Sequence, residues 1–396
     1  MLRSLVGSEM CIRDSPYTTK VLSIKESMSI ARTAKATVIA NVLADLDEVI
    51  NGNYLPTSYD ADNKGRITRW AAMAIKAKIY LFEGNWTQVK NITSTIMTEG
   101  GFKLFGSYAG LFEIANEYNS EVILDAQYRP TSREHQMMYV FLPPTLGGYS
   151  QLSPLQELVD SYIMLDGKTI KETGTSFDES HPYANRDPRL KATVMYTGNS
   201  YTLADGTEVV INCEKGEGKD GYGVGSDCSA TGYYIKKYWD NTYRATLYSG
   251  LNPILIRYAD ILLMNAEALA ELGELDKTAW DATIKPIRDR AGFTLASALE
   301  FPEGASKDKL IEIVRNERRS ELALEGHRHK DIIRWRIADN VLNGWCHGLK
   351  TNDVVGTDDG YVRVENRTFN ANKHYLWPIP QAERDLNGNL EQNPNW

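Results

Sequence analysis

Apolar positions recur at helical spacing along much of the chain. Ile30, Ala34, Val38, Val42, Leu46 and Val49 share one face, with Asp45, Asp47 and Glu48 opposite, which predicts a helix over 29–50 that Gly52 and Pro56 end. Thr68 is placed to cap a second helix, in which Trp70, Met73, Ala74, Ala77, Tyr80 and Leu81 keep the period. Gly84-Asn85 breaks it, and a further helix from Trp86 to Met97 runs out at Gly100-Gly101. The interval from Ala77 to Gly84 recurs from Ala266 to Gly273, inside a stretch read as one helix over 254–272 with Leu255, Tyr258, Leu262, Ala266 and Leu269 on one face. Asp276 starts its partner, which ends at Ala291-Gly292. Both pairs have the size of a tetratricopeptide (TPR) hairpin, with small residues where two helices meet.

The stretch 308–335 carries an unusual stripe. Ile311, Val314 and Leu322 face inward, and Arg318 lies on the same stripe. A buried guanidinium without a partner is costly, so Arg318 is expected to be buried and paired. Asp260 and Glu267 are the candidate acids from the 254–272 helix, and Glu321 and Glu325 belong to the same structural cluster. Gly326 offers a stop.

Between 102 and 250 the pattern changes. Strands are expected at 121–126, 191–196 and 232–238, a short helix at 155–161, and a hairpin over 201–211 turning at Asp205-Gly206. Pro143-Pro144 and Gly147-Gly148 mark a long loop. The region is rich in Gly, Pro, Tyr and Asn, and loops of this length are commonly functional. The tail, 374–396, reads as extended over the surface.

Composition narrows the classes. The net charge of −8 argues against a general nucleic-acid binder, and no apolar run is long enough to span a membrane. Tyr, at 22 residues, outnumbers Phe, at 9. That surplus suggests wet, loop-borne contact surfaces. Residues 1–15 have neither a signal-peptide pattern nor a period that continues, and are read as a non-native or disordered leader. Cys213 and Cys228 bracket a Gly-rich loop and are either bridged or two free thiols; no Cys/His spacing supports zinc.

Several apparent motifs have plainer readings. Glu317, Glu321 and Glu325 with His327 and His329 could form an acid/base or metal cluster, but salt bridges between helical turns account for them. Gly216-x-Gly218-x-x-Gly221 lacks the strand and helix that a dinucleotide site needs. Asp358-Asp359-Gly360 suits a turn, with calcium as the open alternative and no other cofactor implied.

The stretches IRYADILLMNAEALAELGE, IRDRAG, NERRSELALEGHRHKDIIRW and YLWPIPQAERDLNGNLEQNPNW together resemble the SusD/RagB family. TRWAAMAIKAKIYLFEGNW, EVILD and DPRL fit the same pattern, so the resemblance spans about 16–396. It implies a mainly α fold: a SusD-like helical scaffold with TPR-like hairpins, short strands and long loops. The expected organisation is a single domain with a helical part at 16–101, a loop-rich ligand side at 102–250 and a C-terminal hairpin, charged helix and tail at 251–396. It further implies a non-catalytic protein of the outer-membrane surface that binds oligosaccharide and serves a SusC-like TonB-dependent transporter. Membrane association would come from a lipid anchor absent from this chain. On that reading, aromatic loop residues are the ligand candidates, because a flat ring covers the C–H face of a sugar while amides and charges bond its hydroxyls. Trp239 and Tyr243 come first, then Tyr149, Tyr248, Asn241 and Arg244, with Gln151 nearby. Capture of peptide or protein by the same scaffold is the alternative. A glycan-cleaving enzyme would need two carboxylates about 5–9.5 Å apart across a cleft, and no such pair flanks the aromatic loops.

Overall fold

The computed structural model describes residues 16–243 and 246–396, and the backbone alone at Tyr243. The expectations for residues 1–15 and Arg244 therefore lie outside the described residues. The fold is mainly α. Its long helices are α1 (Lys35–Asn51), α2 (Arg69–Glu83), α3 (Trp86–Glu99), α4 (Tyr258–Leu272), α5 (Lys277–Ala291) and α6 (Lys307–Glu321), followed by the shorter α7 (Arg328–Arg334).

The two helical hairpins turn by the same device. Gly84 and Gly273 end α2 and α4 in the left-handed conformation, at φ +70° and +74°. The N–H of the following residue reaches back to Tyr80 in one case and to Leu269 in the other. A side chain at either glycine would be strained there. Asn85 and Asp276 then cap α3 and α5 through Gln88 and Ala279. Ala71, Ala74 and Ala77 on α2 are fully buried in one core with Ile261, Met264 and Ala268 of α4. Asn265 pins α4 to α3 by donating to Thr93 Oγ1 (2.9 Å) and Ser94 Oγ (3.1 Å).

Several elements depart from expectation. The 254–272 stretch is not one helix. Ile254–Arg257 is a strand, β6, antiparallel to β1 (Val122–Asp125), and α4 begins only at Tyr258. The Ile-Leu-Ile run follows Pro253 and suits a strand as well as a helix, and β1 supplies the ladder. The strand expected at 191–196 is mostly helix, Pro188–Thr193, because Asp187 caps it and Pro188 occupies the first turn. Only Val194–Met195 (β2) is extended, pairing with β5 (Tyr234–Ile235), all that remains of the strand expected over 232–238. The hairpin β3 (Ser200–Thr202) to β4 (Glu208–Val210) turns at Asp205-Gly206. The first helix starts at Lys35 rather than Ser29. Helix α6 closes at Leu322, before Gly326, and Leu324 already has φ +64°. β7 (Gly344–Lys350), β8 (Thr357–Asp358) and β9 (Tyr361–Arg367) form a sheet ordered β7-β9-β8.

Part of the tyrosine surplus is interior. Tyr108, Tyr162, Tyr201, Tyr233, Tyr234 and Tyr238 are buried in the core of the irregular region. Burial of a phenol is tolerated where its O–H finds an acceptor, and Tyr201 donates to the Ile235 carbonyl at 2.7 Å. Cys213 and Cys228 are free thiols. The tail lies on the surface with one short helix, Gln381–Leu386, and Asn387 donates to the Ser27 and Ile30 carbonyls.

Candidate functional site

The charged stripe on α6 sits inside a seam where α4, α6, α7 and the ends of β1 and β6 converge. Arg318 is 3% exposed. It donates to Asp260 (2.6 Å) and to Asp331 of α7 (2.9 Å). Glu267, expected to face Arg318, instead holds Arg334 (2.6 Å) and the Trp335 indole N–H (2.6 Å). Glu321 and Glu325 do not pair with Arg318 either. Glu321 receives Arg257 (2.6 Å), Arg189 (2.9 Å) and Arg290, and Glu325 receives Arg257 and Lys237, both at 2.7 Å. The reason is geometric: three guanidiniums from separate segments already converge on Glu321.

The seam is charge-matched. In the part of it around Glu317, Glu321 and Glu325, Arg189, Arg257, Arg288, Arg290 and Lys237 face Asp187, Glu121, Glu317, Glu321 and Glu325, five of each sign. Burial alone would raise the Glu325 carboxyl, but Arg257 and Lys237 outweigh it and hold it at about 2. Burial lowers Lys237 to about 8 even with Glu325 beside it. His327 falls to about 3, through burial and the neighbouring Lys78 and Arg318, so it is neutral at pH 7. Among the described residues no group of His, Cys, Asp and Glu is arranged to hold a metal ion. Asp358 is taken up by Arg363 and His347, and Asp359-Gly360 forms the turn into β9.

One exposed aromatic surface lies elsewhere, on the short helix Met137–Phe141 with the turn after it and on the segment around Tyr248. Tyr149 is 40% exposed and Tyr248 42%. Tyr149 packs on Tyr139 with ring centres 4.3 Å apart and planes tilted by 31°, an arrangement held by its own N–H, which donates to the Tyr139 carbonyl at 2.9 Å. Gly148 makes this fold-back possible: a Cβ there would stand 2.1 Å from the Leu142 carbonyl oxygen. Tyr248 and Asp227 are close enough to Tyr139 to act on its phenol electrostatically, and the Tyr139 pKa is raised, first by its hydrogen bond with Tyr149. Beside this surface lies a pocket of about 510 Å³ walled by Pro144, Leu146, Gly147, Lys219, Asn241 and Thr242. Thr145 N–H donates to Asp220 (2.7 Å), which anchors the pocket wall.

Trp239 is placed differently. Its indole N–H donates to the Thr202 carbonyl (2.9 Å), its ring meets Tyr201 edge-on at 5.2 Å, and it packs partly buried against the core. It braces the β3–β4 hairpin. Asn241 is exposed at the pocket, and Tyr243 continues the same turn in backbone. Gln151 is exposed two residues beyond Tyr149.

Sequence reasoning missed Tyr139. Its signal was the pair of tyrosines bracketing Pro143-Pro144 and Gly147-Gly148, residues that reverse the chain. It also missed a larger cleft of about 930 Å³, where Tyr183 stacks on Tyr196 at 4.0 Å and Tyr233 and Tyr361 complete the wall. Lys350–Glu179 (2.9 Å) and Lys215–Asp353 (2.5 Å) tie its rim.

Stacked helical hairpins bearing an irregular insert with a solvent-facing aromatic surface define a helical-repeat scaffold whose loops, not its helices, carry the accessible chemistry. The chain belongs to the SusD family, whose profile matches residues 111–396. It is 28% identical over 353 residues to the SusD-like protein P25 of Formosa agariphila, covering 83% of this chain and 61% of that protein. The chain thus spans about three fifths of that relative's length. A SusD-like carbohydrate binding protein of Bacteroides fragilis superposes with a TM-score of 0.85 at 28% identity, over 98% of this chain and 77% of the other. A laminarin binding SusD-like protein shares the fold, with a TM-score of 0.62 at 23% identity over 97% and 74% of the two chains. No helix among the described residues is long and apolar enough to cross a membrane.

Proposed function

We propose that this chain is a non-catalytic, cell-surface oligosaccharide-binding protein that passes nutrient to a SusC-like TonB-dependent transporter of the outer membrane. The observation that carries the reading is the tilted Tyr139–Tyr149 ring pair with exposed Tyr248, next to a pocket offering Asn241, Thr242 and Lys219. Exposed rings offer apolar faces to sugar C–H groups, while the amide, hydroxyl and ammonium bond to hydroxyls. The name of the Bacteroides fragilis relative, a carbohydrate binding protein, supports the same reading. The described residues that wall the pocket include no carboxylate, whereas glycoside hydrolysis ordinarily needs two. Affinity is expected to be modest, since each hydroxyl contacted is first desolvated.

Affinity electrophoresis and calorimetry against a panel of neutral and acidic polysaccharides test the proposal. Binding to at least one glycan, with no products released over prolonged incubation, is the expected outcome. Retention of a peptide pool with no glycan bound would replace it with the peptide-capture reading. Product release would replace it with the enzymatic one.

A further inference from the structure

The cations inside the seam have carboxylate partners, but two at its edge do not. Among the described residues, Arg319 on α6 and Arg328 at the start of α7 have no carboxylate within ion-pairing reach. Arg319 donates to the Glu157 carbonyl, and Arg328 lies against Trp335, 5.9 Å from the ring centre. Burial and the nearby charge of Arg328 together lower Arg319 to about 10. Arg328 is lowered too, by burial. Buried Arg186 makes the contrast clear. It also lacks a carboxylate, yet it donates to the carbonyls of Val159, Tyr162 and Pro182. Arg319 and Arg328 have no such set of acceptors.

Both side chains open into a pocket of about 560 Å³ along the outer stripe of α6, with Arg315 and Trp335 in its wall. Three acids, Glu271, Asp308 and Glu312, also line this pocket. Glu271 is held by Arg315 (2.9 Å) and Glu312 by Lys309 (3.1 Å). Asp308 lies eleven residues before Arg319, roughly 16 Å along the helix axis. Glu157 turns its carboxylate to His347 (2.8 Å), and Asp160 accepts from Gln156 (2.7 Å). Asp331 is shared by Arg318 (2.9 Å) and Arg334 (2.8 Å).

We propose that Arg319 and Arg328 form an oxyanion-binding site, which takes a sulfate ester or carboxylate of an acidic sugar, or the free anion of the same chemistry. Two guanidiniums present forked donors that match a planar or tetrahedral oxyanion. An anion between them would offset both the burial and the neighbouring positive charge that lower Arg319. The site stands apart from the Tyr149 surface, so it adds a second recognition element rather than restating the first.

The test uses the full chain at matched ionic strength, with sodium sulfate against sodium chloride, and with glucose 6-sulfate and glucuronate as sugar-borne probes. Calorimetry and thermal shift should show saturable sulfate binding, weakened at least tenfold in R319Q/R328Q and unchanged in Tyr149→Ala. Glucose 6-sulfate binding tighter than sulfate assigns the anion to a glycan, and equal affinity assigns it to the free ion; either supports the site. Arg328→Gln alone serves as the second variant, because Arg328 makes no hydrogen bond among the described residues and its loss should not impair folding. Crystals soaked in selenate should show anomalous density between the two guanidiniums. Chloride matching the sulfate response, wild-type affinity in Arg328→Gln and R319Q/R328Q, or no selenate peak would each overturn the assignment.

Discussion

Arg318 on α6 donates to Asp260 on α4 at 2.6 Å, and the other Asp260 oxygen takes Lys78 of α2 at 2.7 Å. One carboxylate thus joins both hairpins to the charged helix. Arg318→Ala leaves Asp260 with Lys78 and Asp331 with Arg334, so neither acid is stranded alone. Breaking a buried pair costs about 3–5 kcal/mol, and this case belongs at the lower end. Glu321→Ala breaks three buried ion pairs at once, against two for Arg318→Ala, and so belongs at the upper end although Arg189, Arg257 and Arg290 each keep another acid. Urea unfolding should rank Glu321→Ala as the more damaging. The reverse order would mean that the Arg318 contact, not the Glu321 junction, dominates the seam.

The same seam sets the acid sensitivity of the fold. Against the burial that would raise them, Arg and Lys neighbours lower the carboxyls of Glu317, Asp331 and Glu325, the last to about 2. A folded pKa below the unfolded value contributes stability that is complete above the unfolded pKa, about 4.5 for Glu, and fades as pH falls towards the folded value. The urea midpoint should therefore hold steady from pH 7 to 5 and drop between pH 4.5 and 2. A flat profile through that window would show that the seam does not govern acid unfolding.

How much of this was legible depends on the range of the cause. The hairpins were readable because Gly84 and Gly273 act locally, each fixing a left-handed turn after the same apolar interval. The burial of Arg318 was readable from its own stripe. Of its two partners, Asp260 was among the acids that the 254–272 pattern offered, whereas Asp331 was not, since it reaches Arg318 only once α7 has folded back. The strand at Ile254–Arg257 was hidden because its ladder comes from Val122–Asp125, far away in sequence. The Tyr139–Tyr149 ring contact was hidden for the opposite reason. The two residues are close in the chain, but the reversal depends on Gly148 passing over the Leu142 carbonyl.

The His347 ring lies between Glu157 (2.8 Å) and Asp358 (3.0 Å), bridging the Gln156–Ser161 helix to the β7–β9 sheet. Burial opposes its protonation, but the hydrogen bonds to Asp358 and Glu157 outweigh it and raise its pKa. A raised folded pKa contributes stability that is complete below the unfolded value, about 6.5, and is lost as pH rises through the folded one. Amide exchange in β7 should accelerate from pH 6 to 8 beyond the intrinsic pH effect, and His347→Gln should abolish that extra dependence. An NMR titration giving His347 a pKa at or below 6.5 would contradict the clamp.

The proposed ligand surface makes a prediction that separates binding from folding. Tyr149 and Tyr248 are exposed, so their replacement by Ala should leave the thermal midpoint within about a degree, since surface substitutions usually stay within ±0.5 kcal/mol. Each ring should contribute about 1 kcal/mol to glycan affinity, or roughly fivefold, and the pair together more than tenfold. Trp239→Ala should behave otherwise. It removes the indole bond to Thr202 and the edge contact with Tyr201, so it should lower the midpoint by several degrees whether or not ligand is bound. Calorimetry and thermal unfolding on the same three variants decide the matter. Affinity unchanged in Tyr149→Ala/Tyr248→Ala but lost in a stably folded Trp239→Ala would move the platform back to the 239–243 turn.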